Sequence, residues 1–262
     1  MLAKNELFKT YKGAVIGPFW AIVKPIFTLF VFWFAMELGL RGGMGKSPMG
    51  QPYFIFLMVG FVPWFFINDT ILLGARSIRL NSQFVTKVSF PISTIMTFTT
   101  LARMFVNLFL TLLMCIVLIC TGYHPSLYNL QFFYYAPLMF LFFVALCWST
   151  APMSAFSKDF ESLITSIMAG FFWLTGIVYY TGDIKIEWVK QIMYFNPCNY
   201  FVNGYRYTFF GNQMPSQGSI SRWFFGPDQL SQTIIFFVEF AFIILLGIHN
   251  YNRLRRKLPD VL

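Results

Sequence analysis

Long apolar runs alternate with short polar segments along most of the chain. A helix needs about 20 apolar residues to cross the hydrocarbon core of a bilayer, and six runs match that length. The predicted spans cover residues 16–40, 53 to about 73, 92–120, 132–156, 163–180 and about 230 to 251. The pattern therefore predicts an all-α integral membrane protein with six transmembrane helices, in a single domain over residues 1–262.

One further segment, 186–210, is rich in aromatic residues but also carries charged and amide side chains. Asn196-Pro197 divides it, because proline disfavours helical geometry in the residue before it and starts helices well. We expect two short helices that form a re-entrant hairpin, dipping in from the outside and packed against protein, with Tyr205 and Arg206 in its second half. A seventh span would instead place the basic cluster at 253–257 outside, against the positive-inside rule.

Composition agrees with a membrane protein, since 57% of residues are hydrophobic and 11% are charged, against about 25% charged in soluble domains. The formal net charge is +9. The basic residues cluster at the termini and between apolar runs, which predicts two cytoplasmic termini in a multi-pass protein and argues against nucleic acid binding. The four cysteines lack the spacing of a zinc site, so we expect free thiols and no metal.

Candidate catalytic residues are few. His124 and His249 stand apart in the sequence, and we predict no enzyme and no catalytic residue. Residues 43–47 resemble the end of a P-loop, but Leu40 stands where that motif needs glycine, and the predicted topology puts this loop outside. We expect no cofactor in this chain, so any ATP must bind another subunit.

Ionisable residues inside predicted spans are costly and mark function by default. The charged side chains in or beside the apolar runs are Lys24, Glu37, Asp69, Arg103 and Glu239. Each lies within reach of a predicted interface, where snorkelling is a sufficient explanation. No chain of acids crosses the membrane, which argues against a proton-coupled carrier.

Two inner segments are semi-polar. Residues 1–12 place apolar side chains among charged ones, which predicts a short amphipathic helix on the inner membrane surface. Residues 76–91 are too polar to span and show partial helical periodicity, so they lie along the membrane or dock into a partner's groove. A purely structural connector is the alternative for the second segment.

Several motifs occur in an order that resembles a known family. They are Arg41-Gly42-Gly43, Val-Pro-Trp-Phe-Phe at 62–66, Lys-Val-Ser-Phe-Pro-Ile-Ser at 87–93, and Asn196-Pro197 followed by Gly204-Tyr205-Arg206. Together they resemble ABC-2-type permeases, the membrane subunits that export teichoic acid, O-antigen and capsule polymers. The Arg-Gly-Gly loop is most similar to that of wall teichoic acid permeases. Lys24 departs from the pattern, since related permeases usually have a small polar residue there.

This resemblance implies a homodimer in the bacterial cytoplasmic membrane, joined to two ATPase subunits that bind ATP and Mg²⁺. The implied substrate is a polymer on undecaprenyl diphosphate, with wall teichoic acid first and O-antigen or capsule polysaccharide as the alternative. An ion-coupled carrier and a membrane-embedded transferase remain rival classes. The implied ATPase-coupling residues are Asn81, Gln83, Phe84, Lys87, Phe90 and Pro91, and those of the interface helix are Lys4, Phe8, Lys9 and Tyr11.

Aromatic rings suit the path of a long sugar polymer, because they stack on sugar rings without a fixed hydrogen-bond register. In the first predicted span, Phe30, Trp33 and Glu37 share one helix face. In the fifth, Trp173 and Tyr180 are one heptad apart with Gly176 between them. The resemblance places both helices along the dimer seam, which makes these residues the predicted path. Contact with lipid or with neighbouring helices is the alternative.

Overall fold

The computed structural model describes residues 2–10, 13–86, 90–211 and 229–260, and these are almost entirely helical. Five helical segments are long and apolar enough to cross a membrane. The α-helices of the described residues are α1 (Leu2–Thr10), α2 (Trp20–Trp33), α3 (Tyr53–Leu80), α4 (Ser82–Thr86), α5 (Ile92–Cys120), α6 (Phe132–Phe156), α7 (Lys158–Leu174), α8 (Glu187–Tyr194), α9 (Pro197–Phe210) and α10 (Gln229–Leu254).

The first candidate span, Gly17–Leu40, is built of three kinds of helix. A 3-10 turn at Gly17–Phe19 leads into α2, and a π-helical stretch, Phe34–Leu40, follows it. Few side chains of this span are fully buried, whereas most of those in α3 are. An apolar helix that covers so little of its own fold needs lipid or another protein against it.

Helix α3 is the centre of the bundle, and it packs against α5, α6 and α9. The bounds of α5 and α6 are the predicted ones, and α10 packs along α6. The predicted end of the second span near residue 73 is wrong, because α3 continues to Leu80. The additional turns contain Arg76 and Arg79, and both form ion pairs with Glu161 at the start of α7.

The predicted fifth span, 163–180, is also wrong at its end. Helix α7 stops at Leu174 after 17 residues, so Gly176 and Tyr180 lie beyond it. Gly176 has a φ of 69°, which side chains with a Cβ disfavour and which breaks the helix. Within the described residues, the other five predicted spans are long and apolar enough to cross a membrane, and α7 is too short to be counted with them.

Two short helices, α8 and α9, form within the aromatic segment as predicted. The Asn196 carboxamide oxygen caps α9 by accepting a hydrogen bond of 2.9 Å from the Cys198 backbone N–H. Helix α9 is buried over most of its length against α3 and α6. At Gly204 its backbone comes so close to Tyr135 that a Cβ would lie 2.4 Å from the ring.

Candidate coupling region and membrane cleft

The C-terminal end of α3 is joined to α1 by a small polar network. The Lys9 ammonium donates to the Asn81 side-chain oxygen at 2.9 Å and to the Leu80 carbonyl at 3.1 Å. The Asn81 amide in turn donates to Glu6 at 3.4 Å. Lysine at a helix C-terminus satisfies carbonyls that lack a partner within the helix. Asn81, which is 1% exposed, therefore connects the predicted interface helix to the predicted coupling segment.

The coupling residues differ in how far they are available to a partner. Phe84 packs its ring 5.3 Å from that of Phe90 and 6.4 Å from that of Phe98 in α5. Gln83 and Pro91 are exposed. Phe84 and Phe90 thus hold the segment against α5, while Gln83 and Pro91 face outward. Lys87 lies outside the described residues.

The predicted interface helix presents two different faces. Ala3 and Glu6 are buried, and Lys4, Phe8 and Lys9 are exposed. The Lys4 ammonium lies 6.0 Å above the Phe8 ring. The exposed aromatic ring and lysines have the composition expected of a membrane-surface helix. Tyr11, the fourth predicted residue, lies outside the described residues.

Ion pairs connect the C-terminal end of α3 to α7. Arg79 contacts one Glu161 carboxylate oxygen at 2.9 Å, and Arg76 contacts the other. Arg79 also donates to the Ser154 carbonyl of α6. Ser157 caps the start of α7 by accepting from the Phe160 backbone N–H. A shift of the coupling segment would therefore move α7 as well.

A cleft opens between α2, α3, α5 and α7, with a volume of about 500 Å³. Rings of Trp20, Phe61, Trp64 and Phe172 form much of its wall. Its charged lining residues are Lys24 of α2, Asp69 of α3 and Arg103 of α5. The Arg103 guanidinium donates to the Thr10 hydroxyl of α1 at 2.7 Å, which places this part of the cleft beside the N-terminal helix.

A second polar network surrounds the irregular chain after α7. Asn196, Asn199, Asn203 and Arg206 follow one another at three- and four-residue steps, so they share one face of α9. Their side chains donate to groups of the segment 174–181; for example, Asn199 donates to the Thr175 carbonyl at 2.9 Å. This polar face replaces the backbone hydrogen bonds that α7 would have made had it continued.

Arg206 is the centre of this second network and is fully buried. It donates to the Gly176 carbonyl at 2.8 Å and to the Ile177 carbonyl at 2.6 Å. Its guanidinium also lies 3.9 Å from the centre of the Phe56 ring.

The predicted path residues do not form one continuous face. Phe30 and Trp173 are about half exposed, and Trp33 packs edge-on against Phe54 at 6.0 Å. Glu37 is buried and pairs with Arg41 at 2.9 Å, so it contacts the loop after this span. The predicted shared helix face of Trp173, Gly176 and Tyr180 is wrong, because α7 ends before the last two. The Tyr180 hydroxyl instead lies 2.9 Å from that of Tyr207.

Comparison with known proteins gives a match over most of the chain. A sequence model of the ABC-2 type transporter family matches residues 1–210. The chain belongs to the ABC-2 type transporter family. Among relatives of this ABC-2 transporter, the O-antigen export system permease protein RfbA of Myxococcus xanthus is 23% identical over 216 residues, 82% of this chain and 80% of that protein. The protein of the same name from Klebsiella pneumoniae is 22% identical over 267 residues, 100% of this chain and 93% of that protein.

The sequence alone did not identify two residues that connect helices of this ABC-2 transporter, Asn107 and Glu161. Asn107 in α5 donates to the Val62 carbonyl at 2.9 Å and accepts from the Tyr205 hydroxyl at 3.1 Å, which joins α5 to α3 and α9. A lone asparagine within a long apolar run was the available signal. Glu161 gives no comparable local signal, because its arginine partners, Arg76 and Arg79, belong to α3, which is distant in sequence. Its pairing with them depends on tertiary contact between α3 and α7.

Proposed function

We propose that this chain is the membrane subunit of an ATP-driven exporter that moves a lipid-linked cell-surface polysaccharide across the bacterial cytoplasmic membrane. The observation that carries the proposal is the alignment of 82% and 100% of the chain with proteins named O-antigen export system permeases. The comparisons give no support to wall teichoic acid as the cargo. They favour the polysaccharide alternative. We propose undecaprenyl diphosphate as its lipid carrier.

In the proposed topology, α7 is a sixth span, α8 and α9 form the re-entrant hairpin, and both termini are cytoplasmic. A helix of 17 residues is about 26 Å long, close to the hydrocarbon thickness of about 30 Å. Irregular backbone at membrane depth is tolerated where protein groups satisfy it. The Asn199 and Arg206 side chains, which bond to carbonyls of residues 175–177, support this arrangement.

The proposed assembly contains two copies of this chain and two ATPase subunits, which hold ATP and Mg²⁺. The inner segment 76–91 is the docking site for an ATPase, with exposed Gln83 and Pro91 as contacts. Movement there would reach α1 through Asn81 and α7 through Glu161. These contacts would transmit a movement of the ATPase to the membrane-spanning helices of the permease.

The proposed path lies between the two copies. The exposed side of Gly17–Leu40 supports a second copy as its neighbour, because few of its own side chains are buried within one chain. Phe30, Trp33 and Trp173 are the proposed sugar-stacking residues. Glu37 acts through its ion pair with Arg41 and positions the outer loop.

Complementation in cells tests the proposal. The chain is expressed with an ATPase subunit of a polysaccharide exporter in an O-antigen strain that lacks its own permease, and surface polysaccharide is measured with an antibody. We expect polysaccharide to return to the surface only with an ATPase competent to hydrolyse ATP. The same pair is tested in a strain that lacks the teichoic acid permease. Restoration of surface teichoic acid without polysaccharide would overturn the proposed cargo, and restoration of neither would overturn the exporter function.

A further inference from the structure

A short 3-10 helix, Arg255–Asp260, follows α10 and packs against α4 and α6. Most of its residues are charged, and Lys257 is exposed. The next residue, Leu258, points the other way and is completely buried. Withdrawing such a side chain would expose all of its apolar surface to water, which is unfavourable. Leu258 therefore fixes a basic segment, which we call the 255–260 turn, against the rest of the protein.

The apolar cluster that receives Leu258 also includes the coupling segment 76–91. The other buried members of the cluster come from α3, α5 and α6, and they are Ile78, Met96, Cys147 and Ala151. Val85 of α4 is half-buried and packs against the same cluster. Helix α4 lies within the coupling segment. Leu258 and Val85 thus connect the 255–260 turn to the segment that we propose as the docking site of the ATPase.

Tyr251, in the last turn of α10, makes a second connection. Its hydroxyl accepts a hydrogen bond of 3.1 Å from the Ser93 backbone N–H, in the first turn of α5. The N–H groups of a first helical turn lack an acceptor within their own helix, so this bond satisfies one of them. The Tyr251 ring lies 6.5 Å from the Trp148 ring of α6. Tyr251 therefore contacts the chain directly after the coupling segment.

The end of α10 is also joined closely to α6. The Asn250 amide donates to the Ser149 hydroxyl at 2.7 Å. One turn earlier, Gly247 comes so near to α6 that a Cβ there would lie 2.7 Å from the Ala145 carbonyl oxygen. Backbones in such close contact cannot slide past each other without loss of packing. A displacement of the 255–260 turn would therefore be carried into both helices.

We infer that the 255–260 turn positions the coupling segment, with Leu258 and Tyr251 as positioning residues, and that it transmits movement of that segment to α10 and α6. The inference rests on the proposed function, because the movement would originate in an ATPase docked on the coupling segment. It adds a third connection to those through Asn81 and Glu161, which lead to α1 and α7.

Hydrogen exchange of the purified chain in detergent tests the positioning. We expect Leu258→Ala to speed amide exchange in α4 and in the first turn of α5 about tenfold or more, because the lost side chain leaves a cavity. Tyr251→Phe should speed exchange at Ser93, whose acceptor it removes. Leu258→Met, which retains the volume, should match the wild type. Leu245→Ala, the same truncation at an exposed position of α10, should leave exchange unchanged.

Transmission is tested on the permease–ATPase complex in membrane vesicles, as polysaccharide exported per ATP hydrolysed. We expect Leu258→Ala to lower this ratio about twofold to tenfold, the range of couplings carried by packed side chains. The ATPase should stay bound and hydrolysis should continue. Tyr251→Phe should lower the ratio in the same direction, whereas Leu258→Met and Leu245→Ala should retain it.

Several outcomes would overturn the inference. Unchanged exchange in α4 of Leu258→Ala would remove the positioning role. A normal export ratio in the double variant, Leu258→Ala with Tyr251→Phe, would remove transmission, as would an export loss that follows only a loss of bound ATPase. Where Leu258→Ala does not fold, Tyr251→Phe decides both measurements. The proposed function fails separately: wild-type vesicles without ATP-dependent export would contradict the exporter, while hydrogen exchange would still decide the positioning.

Discussion

The Arg206 guanidinium donates a hydrogen bond of 2.6 Å to the carbonyl of Ile177, a residue three positions beyond the end of α7. The same group donates to Gly176 and lies over the Phe56 ring. One buried cation thus joins α9, the irregular segment after α7, and α3. Its partners are backbone carbonyls and a ring face, and these replace the acid that a buried cation usually pairs with.

Replacing Arg206 should therefore destabilise the protein. In Arg206→Lys, one ammonium cannot reproduce the two-pronged contact to neighbouring carbonyls, so we expect the free energy of unfolding to fall by about 2–3 kcal/mol. Thermal unfolding of the purified protein in detergent measures this. Arg253→Lys, at an exposed position near the end of α10, is the matched control. Equal unfolding midpoints for both variants would contradict the assigned role.

The polar network at Asn81 predicts a coupling defect. Asn81→Ala removes the hydrogen bonds to Lys9 and Glu6 that hold α1 against α3. Their combined loss of about 1–2 kcal/mol corresponds to a fivefold to thirtyfold shift toward separated helices. We expect export per ATP hydrolysed to fall while membrane insertion stays normal. Export and hydrolysis are measured together in membrane vesicles. Asn5→Ala, on the exposed side of α1, should match the wild type; an equal defect there would argue against a specific role for Asn81.

Local sequence patterns predict where helices form better than they predict the residues at which α3 and α7 end. The bounds of α5 and α6 follow from apolar runs that end at turn residues. The end of α7 does not, because the apolar residues continue to Tyr180. What stops the helix is Gly176 together with side chains of α9 more than twenty positions away, a contact that periodicity cannot reveal. The extension of α3 to Leu80 likewise depends on Glu161 of another helix.

The same limit applies to the candidate sites. The sequence marks Lys24, Asp69 and Arg103 as intramembrane charges, but only the packing of α2, α3 and α5 brings them to one cleft. Glu37 shares a predicted helix face with Phe30 and Trp33, yet it pairs with Arg41 because the loop after it folds back. Spacing along one helix identifies a face. It does not identify what that face meets.

The close contact between α9 and α6 predicts the effect of a single methyl group. In Gly204→Ala the new Cβ would lie 2.4 Å from the Tyr135 ring, so we expect a loss of about 1–3 kcal/mol of stability from overpacking. The unfolding midpoint in detergent measures it, and the same glycine substitution should cost less when made in a Tyr135→Ala background. Gly170→Ala, a helical position of α7 with open space at its Cβ, should be neutral or slightly stabilising. A loss in Gly170→Ala equal to that in Gly204→Ala would contradict the steric explanation.

The proposed path predicts a kinetic defect without a folding defect. Trp33→Ala and Trp173→Ala each remove one ring that sugars would stack on, which we expect to slow polymer export about twofold to tenfold. Folded protein and basal ATP hydrolysis should change less. Tyr180→Phe should behave differently, since it removes the hydroxyl contact with Tyr207 and acts on stability. Normal export in the double tryptophan variant would remove both rings from the path.

ATP-dependent flux in proteoliposomes tests whether this chain is the membrane subunit of a lipid-linked polysaccharide exporter. The chain and its ATPase are reconstituted together, polysaccharide linked to undecaprenyl diphosphate is supplied on the ATPase side, and polymer protected inside the vesicle is measured. We predict that protected polymer accumulates only when ATP, both subunits and the lipid link are present. The same polymer without its lipid should not accumulate. Accumulation without ATP, or equal transport of the unlinked polymer, would contradict it.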